Sequence, residues 1–475
     1  MPVQNRHSQS HVPSKTTPTS TPKMAKFGLK SWMGLGLGLS GVAMISATAG
    51  ALFAVSLSST PLMQSRLTPE EQAIFNKDDI AKMNLKLPEL TRPVNILILG
   101  TKVLTSDLEL PATESGYEPT VNSLEGLSDS MLLVRFDPKT NKVSLLSIPR
   151  DTYAWVEGFG ETKINEANRV GGPALSAKTL SRLLDGVRID RYVRINVFAV
   201  EKLIDALGGV TLYVPQDMKY TDNTQHLYID LKEGEQRLDG EQALEFLRYR
   251  YDGLGDIGRI QRQQTFMRAL MEQTLSPGTV VKLPQILSVV QEYIDTNLSL
   301  EEIVALSGFA SSISRENTQM LMLPGEFNAP ATANDPSYWL PSYQQIDTMM
   351  AEHFDRGYRG RKVRNSDDYA LRIAIQDSTD EPYAIDDLVR QLEEEGYYNI
   401  TIDREWNEPL AITRIIAQQG DTESAQSLQE ELGFGEIRIE STGSLESDIT
   451  IQVGRDWLRQ QPQTLEEGWS PEERW

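Results

Sequence analysis

Apolar positions along this chain fall into short blocks with two different spacings. Asn95 to Gly100 (NILILG) is nearly all apolar and ends on a glycine, which predicts a buried strand. Met131 to Phe136 and Val143 to Ile148 are two more apolar runs, separated by the turn sequence DPKTN. They predict a hairpin, and a hairpin sets its first and last residues side by side. Asp129 stands where the first strand begins and Arg150 where the second ends, so an acid and a base should meet at one rim of a sheet. A polar loop, DTYAWVEGFGETKIN, should follow, with Lys163 and Asn165 near its end.

Further on, the apolar spacing alternates between strand and helix. Glu166 to Leu184 has helical spacing broken by Gly171-Gly172-Pro173. Arg191 to Val197 predicts a strand, Val200 to Leu207 a helix closed by Gly208-Gly209, and Val210 to Val214 a strand ended by Pro215. Asp239 to Phe246 predicts a helix with Asp239 as its N-cap, running into LRYRY. After a loop at Gly253 to Gly258, a long amphipathic helix should run to about Leu275. Further helices, a strand at Met320 to Leu323 and a closing helix at Pro341 to Phe354 complete this part. A second strand–helix alternation starts near Leu371 and ends near Trp457. The class implied is α/β, with a sheet flanked by helices and a small α/β domain behind it.

The longest apolar block is of another kind. Met33 to Leu57 is 25 residues without a charge, enough to cross a bilayer as a helix. Basic residues precede it, which predicts a cytoplasmic N-terminus and a body outside a cell membrane crossed once. Ala47-Thr48-Ala49 also fits a signal-peptidase site, but the uncharged run continues past it, which favours an uncleaved anchor. Gly36-x-Gly38-x-x-Gly41 matches a dinucleotide fingerprint by letters only, because no strand precedes it. The expected organisation is a disordered basic tail (1–30), the anchor (31–58), a spacer (59–92), a main domain (93–355), a linker (356–370), a second domain (371–457) and a loose tail (458–475). The polar loop Val103 to Leu127 is long enough to suggest a cover over a site.

Charge and composition narrow the chemistry. The first 69 residues hold six basic residues and no acid, leaving 40 basic and 67 acidic residues in the remainder. An acidic body argues against general nucleic-acid binding. There is no cysteine, which removes disulfides, thiolate nucleophiles and Cys-ligated zinc. The histidines are His7, His11, His226 and His353, too few and too scattered for a His-based triad or metal cluster. Arginines remain. Arg248 and Arg250 share a face if the chain is extended there, and Arg259, Arg262 and Gln263 line one face near a helix start. Helix N-termini favour anions, and arginine suits bidentate phosphate contacts. Arg150, Lys163, Arg248, Arg250, Arg259 and Arg262 could surround a diphosphate, with Asp129 holding Mg2+. The plainer reading is that each arginine forms an ordinary ion pair in an acid-rich body.

The ordered motifs NILILG, SDSMLLVRFD, LLSIPRDT, KINEAN with GGP, IDRYVRINV, LIDALGGV, LDGEQAL with RYR, and GDIGRIQRQQ resemble the LytR-CpsA-Psr proteins over about residues 93 to 275. Residues 370 to 457 resemble the C-terminal domain often appended in that family. The resemblance implies a mixed central sheet between helices with an apolar lipid pocket. It implies transfer of a glycopolymer from a polyprenyl-diphosphate-linked glycan to a peptidoglycan hydroxyl, and allows a pyrophosphatase side activity. By resemblance, Arg150, Arg248, Arg250, Arg259, Arg262 and Gln263 bind the diphosphate and Asp129 helps bind Mg2+. The family usually has a second metal-site aspartate two residues past the first strand's glycine. Here that position is Lys102, so either Asp107, five residues later, substitutes as the second metal ligand, or Lys102 supplies a positive charge in place of the metal, or the enzyme is impaired. Asp129 and Asp151 are the candidate bases, with Asp151 better placed to orient Arg150. Lys102 keeps open a second reading, a polyprenyl-diphosphate-binding or regulatory envelope protein without turnover. A third, an acidic envelope scaffold, treats the arginines as ion pairs.

Overall fold

The computed structural model describes residues 62–82, 88–101, 124–222, 227–249, 255–274, 278–328, 336–354, 371–379, 381, 384–403, 406–444 and 446–460. The expected anchor, most of the Val103–Leu127 loop and the 356–370 linker lie outside them. Among the described residues no helix is long and apolar enough to cross a membrane.

The hairpin predicted from the sequence forms the middle of a six-stranded mixed sheet. Its strands are β1 (Val94–Thr101), β2 (Ser128–Asp137) and β3 (Lys142–Ile148). β1 pairs antiparallel with β2, and β2 antiparallel with β3. Leu97 faces Leu133, which in turn faces Leu146. The period of two then puts these leucines on one side, against α1 (Glu166–Leu183) through Ala177 and Leu180. The other side carries Val134, Leu145 and Val143, packed with Ile313 and Phe309. Both faces are therefore covered, as the nearly continuous apolar runs require.

Between β3 and α1 the chain folds where a loop was expected. β4 (Tyr153–Val156) and β5 (Gly160–Lys163) pair as an antiparallel hairpin. The alternation Tyr-Ala-Trp-Val is a strand signal, with Ala154 and Val156 buried and Trp155 exposed. Its interruption by EGFG reads as a loop when taken as one stretch, but EGFG is the hairpin's turn. In α1 the Gly171-Gly172 pair leaves helical geometry, and Gly172 has φ +59°, so two helical pieces meet at a kink.

β6 (Arg191–Asn196) lies parallel to β1 on its far side. α2 (Val197–Leu207) follows at once, three residues earlier than its apolar spacing suggested. Asn196 explains the early start, since its side chain accepts from the Ala199 N–H at 2.9 Å. β7 (Val210–Val214) joins a separate two-stranded ribbon rather than the main sheet. α3 (Gly240–Arg248) is capped by Asp239 with Gln242 in a reciprocal capping box. α4 (Gly255–Thr274) begins inside the expected Gly253–Gly258 loop. β8 (Ile294–Thr296) closes one edge of the main sheet beside β6, and β9 (Thr318–Met322) closes the other, parallel to β3. β10 (Trp339–Pro341) and α5 (Tyr343–His353) complete this part.

The arginines of the IDRYVRINV segment turn out to hold the frame. Arg191 is buried against Glu302, and Arg194 Nε lies 2.6 Å from Asp295 Oδ2. In the second domain, a five-stranded sheet carries its own core of Ile375, Leu388, Ile415, Leu428 and Ile451.

Candidate functional site

Asp129 owes its position to a break in strand register. Gly100 pairs with Ser130 and Thr101 with Ser128, so Asp129 is the extra residue of a β-bulge. Bulges re-aim a side chain at a sheet rim. Gly100 permits the close approach, since a Cβ there would lie 3.1 Å from Ser130 Cβ. The carboxylate turns toward the end of β3, and Arg150 Nη1 donates to Asp129 Oδ1 at 3.1 Å. Arg150 Nε also lies 3.6 Å from Asp151 Oδ2, and Lys163 Nζ lies 2.9 Å from Asp151 Oδ1. Two acids and two bases thus alternate along one rim. All four side chains are partly exposed, between 14% and 31%, so the ion pairs are accessible to an anion that could displace a carboxylate.

Asn165 pins this arrangement from below. Its carbonyl accepts from the Ser128 N–H, and its own N–H donates to the Arg150 carbonyl, both at 3.3 Å. Asn168 Nδ2 donates to the carbonyls of Leu124 and Gly126, at 3.0 and 2.7 Å, and so ties down the loop entering β2. The sequence had offered Asn165 only as a loop residue. Its role comes from main-chain bonds, which side-chain chemistry does not announce.

The second group of expected residues sits where α3 meets α4. Arg248 is the last residue of α3 rather than part of an extended run. Arg250 itself lies outside the described residues. Arg262 is buried; it donates to the Tyr249 carbonyl, and its guanidinium lies 5.7 Å from the Tyr249 ring centroid. Gln263 is half-buried one position on. Arg259 lies on α4, with its side chain outside the described set, and so are Lys102 and Asp107. The structure thus brings together Asp129, Arg150, Asp151 and Lys163, and separately Tyr249 and Arg262, with Arg248 next to Tyr249 in the chain. Tyr249 was not foreseen as a partner for Arg262, although its place between Arg248 and Arg250 was in view.

Among the described residues no three carboxylates or imidazoles converge as a metal cage. Two residues whose backbones meet Ser128 at the bulge, Thr101 and Asn165, carry buried side-chain oxygens, Oγ1 and Oδ1, that have no hydrogen-bond partner among the described residues. With the Asp129 carboxylate at the same bulge, the donor chemistry on offer here is oxygen only. That fits Mg2+, which takes one or two carboxylates and completes its shell with water and phosphate oxygens.

Residues 60–355 match the LytR_cpsA_psr family, and residues 370–457 match the family described as LytR cell envelope-related transcriptional attenuator. Among curated relatives, the regulatory protein MsrR of Staphylococcus aureus (strain COL) is 37% identical over 173 residues. That match covers 36% of this chain and about half, 51%, of MsrR. A polyisoprenyl-teichoic acid–peptidoglycan teichoic acid transferase, TagU of Oceanobacillus iheyensis, is 33% identical over 54% of this chain and 74% of its own length. The crystal structure of B. subtilis TagV is 28% identical, over 56% of this chain and 98% of that one, with a TM-score of 0.46. The matched span of more than half the chain, carrying the motif series from NILILG to GRIQRQQ, means that this chain belongs to the LytR-CpsA-Psr family.

Proposed function

We propose that this chain is a membrane-anchored transferase of cell-wall assembly, which moves a glycopolymer from a polyprenyl-diphosphate carrier to peptidoglycan. The observation that carries the reading is the rim itself, where Arg150 is held between Asp129 and Asp151 and Lys163 joins from the next hairpin. Family membership and the TagU relative's name support the substrate class. In this reading Arg248, Arg250, Arg259, Arg262 and Gln263 complete the diphosphate site, the lipid lies in an apolar pocket of the domain, and Met33–Leu57 anchors the body outside the membrane.

The chemistry asks for positioning and charge neutralisation more than covalent help. The acceptor hydroxyl oxygen forms a bond to the phosphorus nearest the glycan. The bond from that phosphorus to the bridging oxygen breaks, and polyprenyl phosphate leaves. Arg150 and Lys163 neutralise the charge that grows on the departing phosphate. Asp151, engaged by both, orients them. Asp129 is the candidate to take the hydroxyl proton and to hold Mg2+, which would supply further charge neutralisation at the phosphates.

A second reading, diphosphate binding without turnover, is favoured by one feature, Lys102 in the place of the family's usual aspartate. The test is to incubate the full-length protein with a polyprenyl diphosphate-linked sugar and peptidoglycan, with and without Mg2+, and to measure polyprenyl phosphate released. Arg150→Ala should lower turnover about 10²- to 10³-fold, the loss usual for one donor to a developing anion. Asp129→Ala should abolish the Mg2+ dependence. Binding without release in the wild type would favour the second reading.

A further inference from the structure

Beside the rim, the β4–β5 hairpin turns one face to α1 and the other to solvent. Tyr153 and Trp155 share the solvent face, as residues two apart on a strand must. Their cross-strand partners on that face are Lys163 and Glu161. Tyr338 closes the row beside β10: its ring centroid lies 5.1 Å from that of Tyr153, and Lys163 Nζ stands 5.7 Å from its centre. Lys163 therefore belongs to two arrangements at once, since the same ammonium is 2.9 Å from Asp151 at the rim. Tyr338 is fixed there because the next residue, Trp339, donates its N–H to the Asp151 carbonyl at 3.0 Å.

The far end of the row is also built. Trp155 is 50% exposed, and its ring lies along the hairpin over Gly160, where a Cβ would come 3.8 Å from Trp155 Cζ3. Tyr153 Oη donates to Glu161 Oε2 at 2.6 Å, so both side chains are held in place. One exposed aromatic is ordinary on a protein surface. A line of aromatic rings interleaved with a carboxylate, an ammonium and a phenol, and ending at a candidate phosphate site, is a different object. Aromatic faces carry negative charge and attract the C–H face of a pyranose ring, while the polar groups between them match its hydroxyls.

The geometry points to this face as the docking strip for the acceptor, an uncharged pyranose strand of the wall glycan. The proposal rests on the transferase reading above. Three features favour the acceptor over the carrier-borne polymer. The strip is an open sheet face, which admits the middle of a long strand without needing a chain end. Glu161, on the strip itself and bonded among the described residues only to the neutral Tyr153 phenol, opposes a polyanionic polymer. And the strip reaches the rim through Lys163, so a strand laid on it presents a hydroxyl beside Arg150 and Asp151.

The test uses the full-length protein, a soluble N-acetylglucosamine hexamer as probe, and pyrophosphate as an independent probe of the rim. Wild type should bind both. Trp155→Ala should weaken hexamer binding about tenfold, the size expected for one lost stacking face, and leave pyrophosphate binding unchanged. Trp155→Phe should restore part of the hexamer affinity. Hexamer binding that is absent in the wild type, or equal in Trp155→Ala, overturns the strip. So does a strip that takes poly(glycerol phosphate) in preference to the hexamer. Loss of pyrophosphate binding in the wild type would count against the diphosphate site instead, leaving the hexamer result to decide the strip.

Discussion

Asp129 shows how much one residue's register decides. In an unbroken ladder it would pair across from β1; as the extra residue of a bulge it leaves the ladder and meets Arg150 at 3.1 Å. His353 is a second residue whose behaviour comes from its surroundings. Its ring sits between Gln319 Oε1, at 3.0 Å from Nδ1, and the Gly420 carbonyl, at 3.1 Å from Nε2. A side chain at Gly420, whose φ is +88°, would come within 2.6 Å of that nitrogen. Burial holds the imidazole below its ordinary range, opposed by the Gly420 carbonyl and helped by Lys142. The unfolded chain takes up a proton near pH ~6.5, while the folded chain does so only at lower pH. Stability contributed here is present above that value and is lost as pH falls below it. The stability of the full-length protein in denaturation curves should therefore fall from pH 7 to 5, and His353→Gln should flatten that slope. An unchanged slope would remove His353 from the account.

At the scale of elements, the sheet is held by matched rows of apolar side chains. Leu133 is fully buried and lies in register with Leu97 and Leu146. Leu133→Ala should cost about 2–5 kcal/mol, the range for truncating a buried leucine. Urea or thermal unfolding would check this, and a cost well under that range would mean the two sheet faces are less tightly packed than they look. The β4–β5 hairpin is the element most altered by the structure. Its inward residues anchor it on α1, and its outward face carries Tyr153, held by Glu161 and Tyr338, and the half-exposed Trp155.

Across the whole molecule, the second domain is fastened to the first at both a strand and a helix. Met320 N–H in β9 donates to the Ile439 carbonyl at 2.8 Å, and Gln261 Nε2 in α4 donates to the Gly443 carbonyl at 3.2 Å. Arg268, also in α4, is buried between Glu408 at 3.2 Å and Glu440 at 3.7 Å, and Arg414 shares Glu408. Burial pushes the Glu408 carboxyl up, but Arg268 and Arg414 outweigh it and hold it below the ordinary range. Arg268 thus ties the helix that carries Arg262 to the second domain. Removing one partner of such a group leaves charge uncompensated, so Glu408→Ala should cost roughly 3–5 kcal/mol. The measurement is thermal unfolding of the full chain, in which the variant should melt earlier than Leu-to-Ala changes on the exposed surface.

What the sequence by itself determined was local. The strands NILILG and MLLVRF, the turn DPKTN, the cap at Asp239 and the stop at Gly208 all follow from propensities and periods within a few residues, and each appears where local chemistry puts it. The meeting of Asp129 with Arg150 was legible because hairpin geometry is fixed by the turn between them. Tertiary structure decided the rest. The bulge that turns Asp129 depends on how Gly100 and Ser130 approach, the place of Asn165 depends on main-chain bonds that no side chain signals, and the Arg268 clamp joins residues 140 and more apart. Whether an arginine stays accessible at a rim or is buried in the frame, as Arg150 and Arg191 respectively do, depends on which acids lie within reach and how much water remains around them, and both are properties of the folded chain.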